Sequence, residues 1–415
     1  MKNTMDTAQT IEQGEKIAHS EARWTSQKSS PSKMAPGKVP HVLYVIDQIR
    51  QIGGAERVLL EMVRRLPPDQ FRCSLVTFQI EPGLKALENV SSQLQVLPLR
   101  RTYDISAIRA ALLIRDFIRR ENVSIVHTFF ETSDLWAAPI ARLSGCPVLV
   151  SSRRDTGILR TRKHHLAYPF VNHLFDRVLA VSEEVRSYAL THDHLPPERV
   201  ETLYNGVDLQ TLDAKAKEDG MRLGLGLKPT SLVVSTLANI RHVKGIDVLA
   251  RAAARVCLAC PEAIFLVVGG VLEPETFRKL QALVDSLGIM DNFRFLGTMS
   301  NPYPVLAASD VFCLPSRSEG FSNALIEAMG SRLPCVATRV GGNAEALTEG
   351  ANGYLVESED AEAMADRLLL LLRDPKLRRG MGQAARQTVE SNFSMDAMMT
   401  RLTGIYQELL AAKNV

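Results

Sequence analysis

Two glutamates, Glu319 and Glu327, stand eight residues apart in SRSEGFSNALIEAMGSRLPCVATRVGGNAEAL, residues 316–347. Ionised carboxylates only accept hydrogen bonds, so such a pair suits the hydroxyls of a sugar or a ribose. Between them Ser322 is a good N-cap, and NALIEAMG reads as a short helix over 323–330 that ends at Gly330. A helix N-terminus leaves N–H groups unpaired and carries partial positive charge, which suits a phosphate. The apolar face of this helix is Ala324, Leu325, Ala328 and Met329. At about 100° per residue Glu327 lies roughly 130° from the middle of that face, off the core. Either glutamate taken singly is equally a solvated charge; the pair in this setting points to polyol recognition.

Four other constellations could do chemistry. Arg241 and Lys244, three apart at the start of a helix after SLVVSTLA, are cations able to converge on a pyrophosphate and stabilise it as it leaves, or simply two solvated charges. Gly53 and Gly54 would let backbone amides approach a ligand closely, although they spell neither G-x-x-x-x-G-K-[ST] nor G-x-G-x-x-G. His127 ends the run SIVHTF, where a base or a hydrogen-bond donor could work, or a packed histidine could sit. Arg153, Arg154, Arg160, Arg162 and Lys163 oppose Asp155 alone and form a basic loop. That loop fits an anionic acceptor such as a lipid-linked phosphate, an anionic membrane surface, or plain solvation. Cys257 and Cys260 form a C-x-x-C without a second pair and read as packed thiols on a helix flank.

These residues need elements to hold them. HVLYVID, CSLVTF, SIVHTF, PVLVSS, RVLAVS and a short RVETLY alternate with helical runs such as AERVLLEMVRRL and ISAIRAALLIRDFIRREN. The series SLVVSTLA, AIFLVVGG, FRFLG, VFCLPS and PCVATR does so again after a polar break near residue 206. Alternating strands and helices without hairpin turns predict two open parallel α/β sheets. The expected organisation is a disordered polar tail over 1–38, a Rossmann-like domain over 39–205, and a second Rossmann-like domain over 206–395. A C-terminal helix over 396–415 has the option of crossing back to the first domain. Ligands of open α/β sheets bind at the carboxyl ends of strands, so two such domains placed face to face predict a cleft between them.

Here a resemblance becomes specific. E-G-F-S-N-A-L-I-E-A-M-G resembles the E-x7-E signature of retaining family-4 glycosyltransferases of the GT-B fold, and P-C-V-A-T-R-V-G-G-N-A-E-A-L resembles the segment just downstream of that signature. The likeness runs over most of the chain from about residue 41. It implies that Glu319 contacts the donor-sugar hydroxyls and Glu327 holds the ribose, with the amides of Gly320, Phe321, Ser322 and Asn323 approaching sugar and phosphates. It implies that Lys244 and Arg241 hold the diphosphate, although the commoner arginine position is Asn239 here. Gly53 and Gly54 would face acceptor and donor phosphate. His127 would join the catalytic set as the first member of an H-x-H whose second position is Phe129 in this chain. Asn205-Gly206-Val207-Asp208 resembles the N-G-V-D that opens the interdomain link.

The implied activity is transfer of a hexose-type sugar, with retention, from a nucleotide-diphosphate donor such as a UDP-sugar to a glycan, glycolipid or lipid-linked acceptor. The implied setting is cell-envelope polysaccharide assembly, and no cofactor or metal is expected, since no D-x-D-like site ends a strand. A sugar-nucleotide 2-epimerase of the same fold and a non-catalytic binding protein stay open as alternatives. The 415 residues call for two domains. A net charge of +3 is too small to argue for nucleic acid, and six scattered cysteines fit a reducing cytosol. No apolar run reaches the length of a membrane span. The expectation is a cytoplasmic enzyme, with peripheral contact at an anionic membrane face left open.

Overall fold

The computed structural model describes residues 39–49, 53–81, 87, 90, 94–97, 99, 105–157, 160–217 and 220–415. The reading of 1–38 as a tail lies outside the described residues. The first sheet holds β1 (His41–Ile49), β2 (Arg72–Ile80), β3 (Leu94–Val96), β4 (Val123–Phe129), β5 (Val148–Arg153), β6 (Arg177–Ala180) and β7 (Val200–Thr202). Its order is β3-β2-β1-β4-β5-β6-β7, with every pair parallel. The second holds β8 (Leu232–Leu237), β9 (Ala263–Val268), β10 (Phe293–Gly297), β11 (Val311–Leu314), β12 (Cys335–Thr338) and β13 (Gly353–Val356). Its order is β10-β9-β8-β11-β12-β13, again parallel throughout. Strands covered on both faces must be apolar along their length, which is why β9, β11 and the 42–46 stretch of β1 stand out as continuous hydrophobic runs. Two of the four edge strands, β3 and β13, went unread, and the segment SDLWAAPIARL after β4 forms a π-helical turn Ser133–Ala137 followed by the helix Ala138–Leu143.

Helices Ile105–Arg120 and Ala138–Leu143 lie in the core on one face of the first sheet. On the other face, helix Gly54–Arg65 shares a core with the C-terminal helix Met395–Ala412, whose Leu402, Ile405 and Tyr406 pack among Val42, Tyr44 and Leu59. The chain therefore crosses between the sheets twice, and the crossings touch. The Val207 amide donates to Phe393 O at 2.9 Å and the Met395 amide to Val207 O at 2.9 Å. A Cβ on Gly206 would stand 2.6 Å from Met395 Cα, so only glycine lets the two segments meet.

In each sheet the strand order reverses beside the first strand, between β1 and β4 and between β8 and β11. Such switch points leave a crevice at the carboxyl ends of the strands. The segments that follow β1, β8 and β11 carry Gly53-Gly54, Arg241 with Lys244, and Glu319 with Ser322. The two crevices face each other.

Candidate active site

A cleft of about 430 Å³ opens between the domains. That is the size of ordinary small-ligand sites. Glu319, Glu327, Lys244 and Arg241 all line it, as do Gly53, Gly54, Arg154 and residues Gly320 to Asn323.

The loop after β11 is pinned before it reaches helix Asn323–Gly330. Its Arg317 amide donates to Val243 O at 2.8 Å, and the Arg317 side chain donates to Asp247 at 2.8 and 2.9 Å. A Cβ on Gly245, whose φ is +61°, would lie 2.0 Å from Pro315 O. These contacts clamp the loop after β8 onto the loop after β11, and Lys244 arrives beside Glu319 as a result. Lys244 Nζ donates to Glu319 Oε1 at 2.6 Å, and Ser316 Oγ donates to the same oxygen at 2.6 Å. Gly341, at φ +53°, backs the loop from behind: a Cβ there would lie 1.9 Å from Glu319 O. Arg241 is half exposed, with Nε 3.5 Å from Glu273.

Ser322 caps the helix, its Oγ accepting from the Leu325 amide at 3.3 Å. The helix is buried all round from Leu325 to Gly330, so Glu327 is 5% exposed rather than solvated. What covers it is the opposite domain: Arg57 Nη1 donates to Glu327 Oε1 at 2.6 Å. Burial pushes the Glu327 carboxyl above its ordinary pKa, while Arg57 and the Tyr303 hydroxyl that donates to it pull the other way. Asn323 also crosses the cleft, donating from Nδ2 to Gly54 O at 3.1 Å and accepting from Asn205 Nδ2 at 2.6 Å. Arg154 in turn donates to Asn205 Oδ1 at 2.7 Å. A Cβ on Gly54 would stand 3.3 Å from Asn323 Nδ2, close enough that the Asn323 side chain would have to shift slightly. Elsewhere, Glu345 accepts from the amides of Glu183 and Glu184 at 2.8 and 3.1 Å, so a carboxylate of the second domain caps helix Glu183–Thr191 of the first. Among the described residues no group of three or more His, Cys, Asp or Glu could hold a metal.

The profile described as Glycosyl transferases group 1 matches residues 221–388, and that described as Glycosyltransferase Family 4 matches residues 52–211. The chain is 30% identical over 318 residues, 74% of its own length and 80% of the relative's, to an N-acetyl-alpha-D-glucosaminyl L-malate synthase from Bacillus anthracis. The protein belongs to the family-4 glycosyltransferases. This glycosyltransferase is also 25% identical, over 93% of its length and 100% of the relative's, to an Escherichia coli UDP-Gal:alpha-D-GlcNAc-diphosphoundecaprenol alpha-1,3-galactosyltransferase. HepE from Anabaena, crystallised in complex with UDP, shares the GT-B fold with a TM-score of 0.77 at 19% identity, covering 89% of this chain and 100% of its own.

Two expectations for the glycosyltransferase are corrected. His127 is not at the cleft: it is fully buried in β4, hydrogen-bonded through Nδ1 to the Tyr406 hydroxyl at 2.6 Å and through Nε2 to Ser152 Oγ at 2.8 Å. Burial lowers its pKa to about 3, with the Arg154 charge adding to the effect, so it is neutral and structural. Phe129 is buried beside it. Arg153 is not available to an acceptor either. It is 4% exposed, 2.9 Å from Asp134, and stacked 4.3 Å over the Tyr168 ring. Arg160 is likewise turned inward, paired with Asp193 at 2.6 Å. Of the expected basic loop only Arg154 reaches the cleft, where burial brings its pKa down to about 10 against the pull of Glu56 and Asp155. Cys257 and Cys260 are free thiols on the flank of helix Ile246–Ala259.

Arg57, Tyr303 and Asn205 went unrecognised as members of the site, and Glu345 as a contact between the domains away from it. Only Arg57 carried a signal, as a cation in the first turn of the helix that opens at Gly54, where the dipole disfavours one.

Proposed function

We propose that the enzyme transfers a hexose-type sugar from a nucleoside-diphosphate donor to a glycan, glycolipid or lipid-linked acceptor with retention at the anomeric carbon. The observation that carries this reading is the placement of Glu319 and Glu327 on either side of one helix mouth, both lining the interdomain cleft together with Lys244 and Arg241. Glu327 accepts from the ribose hydroxyls, and Glu319 from hydroxyls of the sugar. The pyrophosphate lies against the Asn323–Gly330 helix N-terminus and meets Lys244 and Arg241. As the bond from the anomeric carbon to the β-phosphate oxygen breaks, its electron pair stays on that oxygen, where the two cations stabilise it. The acceptor hydroxyl attacks from the same face and passes its proton to the departing phosphate. Cationic side chains thus do what a metal ion does at other diphosphate sites.

UDP is the proposed nucleotide, supported by the UDP held by HepE and the UDP-Gal in the name of the E. coli relative. The diphosphoundecaprenol in that relative's name supports a lipid-linked acceptor and a cell-envelope setting.

Calorimetric titration with UDP and with GDP should show binding by one of them; a protein that binds neither is not a transferase of this kind. With donor and acceptor present, the product's anomeric proton coupling should match the donor's configuration. Inversion would sink the retaining mechanism, and an epimer formed from donor alone would point to an epimerase.

A further inference from the structure

Helix Ile105–Arg120 has two apolar sides. One is buried against the first sheet. On the other, Ile105, Ile108 and Leu112 recur at i, i+3 and i+7 and are 71, 63 and 46% exposed. At about 100° per residue these three fall on one stripe roughly opposite the buried one. A helix apolar on opposite sides is covered on both. Helix Arg162–Val171 has the same feature, with Leu166 and Phe170 one turn apart and 74 and 78% exposed. Helix Ala138–Leu143 packs against Ile105–Arg120 and ends on Leu143, 82% exposed; Arg162–Val171 packs against the adjoining turn Ser133–Ala137. Every exposed large hydrophobic among the described residues of the first domain lies on these helices, and helices Gly54–Arg65 and Met395–Ala412 on the opposite side of the sheet carry none. That segregation exceeds ordinary surface scatter.

Charge says what covers this layer. Arg162 lies one turn before Leu166, with Lys163 beside it, and their helix contains no acidic residue. Helix Ile105–Arg120 has Arg109, Arg115, Arg119 and Arg120 against Asp116 alone. A second copy docked symmetrically on this face would set Arg162 and Lys163 against like charges. An anionic bilayer meets both features at once, taking apolar side chains into the headgroup boundary and phosphates onto the flanking cations.

We infer that this helical layer of the first domain seats the enzyme on an anionic membrane, with Ile105, Leu112, Leu166 and Phe170 entering the bilayer surface and Arg109, Arg162 and Lys163 on lipid phosphates. The attachment is peripheral, since among the described residues no helix is long and apolar enough to cross a membrane. It is also independent of which sugar is moved.

The test is flotation of the full chain with vesicles of phosphatidylcholine alone and of phosphatidylcholine mixed with phosphatidylglycerol. Binding should require the anionic lipid and weaken with added salt. The double variant Leu166→Ser/Phe170→Ser should bind at least about tenfold more weakly, because two exposed apolar anchors are lost. Its melting temperature and nucleotide binding should stay those of the parent, which separates this outcome from misfolding and from failure of the donor assignment. Equal affinity of parent and variant for anionic vesicles overturns the proposal. So does a dimer in light scattering that the same variant dissolves, which would make the face an interface between copies.

Discussion

Removal of the Glu327 carboxylate tests the site most directly. An ionised carboxylate has room for about four hydrogen bonds. Arg57 and the Tyr303 hydroxyl occupy part of that capacity, leaving room for the two hydroxyls of a ribose. Hydrogen bonds to a charged group are worth about 1.5–3 kcal/mol each, so the pair supplies about 3 kcal/mol. Glu327→Ala should therefore weaken UDP binding on the order of a hundredfold. The cost to the fold is smaller. Arg57 keeps 44% of its side chain in solvent and can rehydrate, and its screened pairing with Glu327 is worth only ~1 kcal/mol. Titration calorimetry with UDP and 2′-deoxy-UDP on both proteins separates ribose recognition from general damage. The parent should prefer UDP by about tenfold, the value of one charge-assisted bond, and the variant should bind the two alike. If the variant still discriminates between them, or binds UDP as tightly as the parent, Glu327 does not hold the ribose.

Lys244→Ala should lower turnover on the order of a hundredfold or more while changing the donor KM less, because its charge is needed mainly as the diphosphate leaves. Steady-state kinetics checks this, and unchanged turnover takes Lys244 out of the site. A Cβ on Gly320 would stand 2.0 Å from Arg154 O in the opposite domain, so Gly320→Ala should hold the cleft open. Small-angle scattering should then give a larger radius of gyration than for the parent, with transfer reduced; an unaltered radius with full activity refutes it. Because burial keeps the His127 pKa near 3, lowering the pH from 6.5 protonates the unfolded chain and not the folded one. The stability present at neutral pH is lost as pH falls through that window, about 2 kcal/mol of it by pH 5. His127→Gln should melt lower at pH 7 and show a shallower fall towards pH 5, as read by thermal unfolding; parallel curves for the two proteins would mean His127 is not buried as a neutral ring.

The fold was legible wherever burial on both faces makes a strand apolar, as in β9, β11 and residues 42–46 of β1. It was illegible at β3, three residues, and at β13, four residues, each at an edge of its sheet and too short to show a pattern by itself; β7, equally short, was legible only within the longer run RVETLY. The helix over 323–330 and its Ser322 cap were readable because capping is a local matter, decided within three residues.

Local chemistry therefore came from the sequence: which carboxylates and cations follow a strand, and which hydroxyl starts a helix. Tertiary structure alone decided where those groups point and what they meet. Glu327 reads as solvated until Arg57, 270 positions earlier, folds over it from the other domain. His127 reads as a base at a strand end until Tyr406, 279 positions later, arrives on the C-terminal helix and closes it in. Alternation along a strand aims each side chain at one face or the other, but which face is later covered depends on distant segments whose own patterns record only that they are helical.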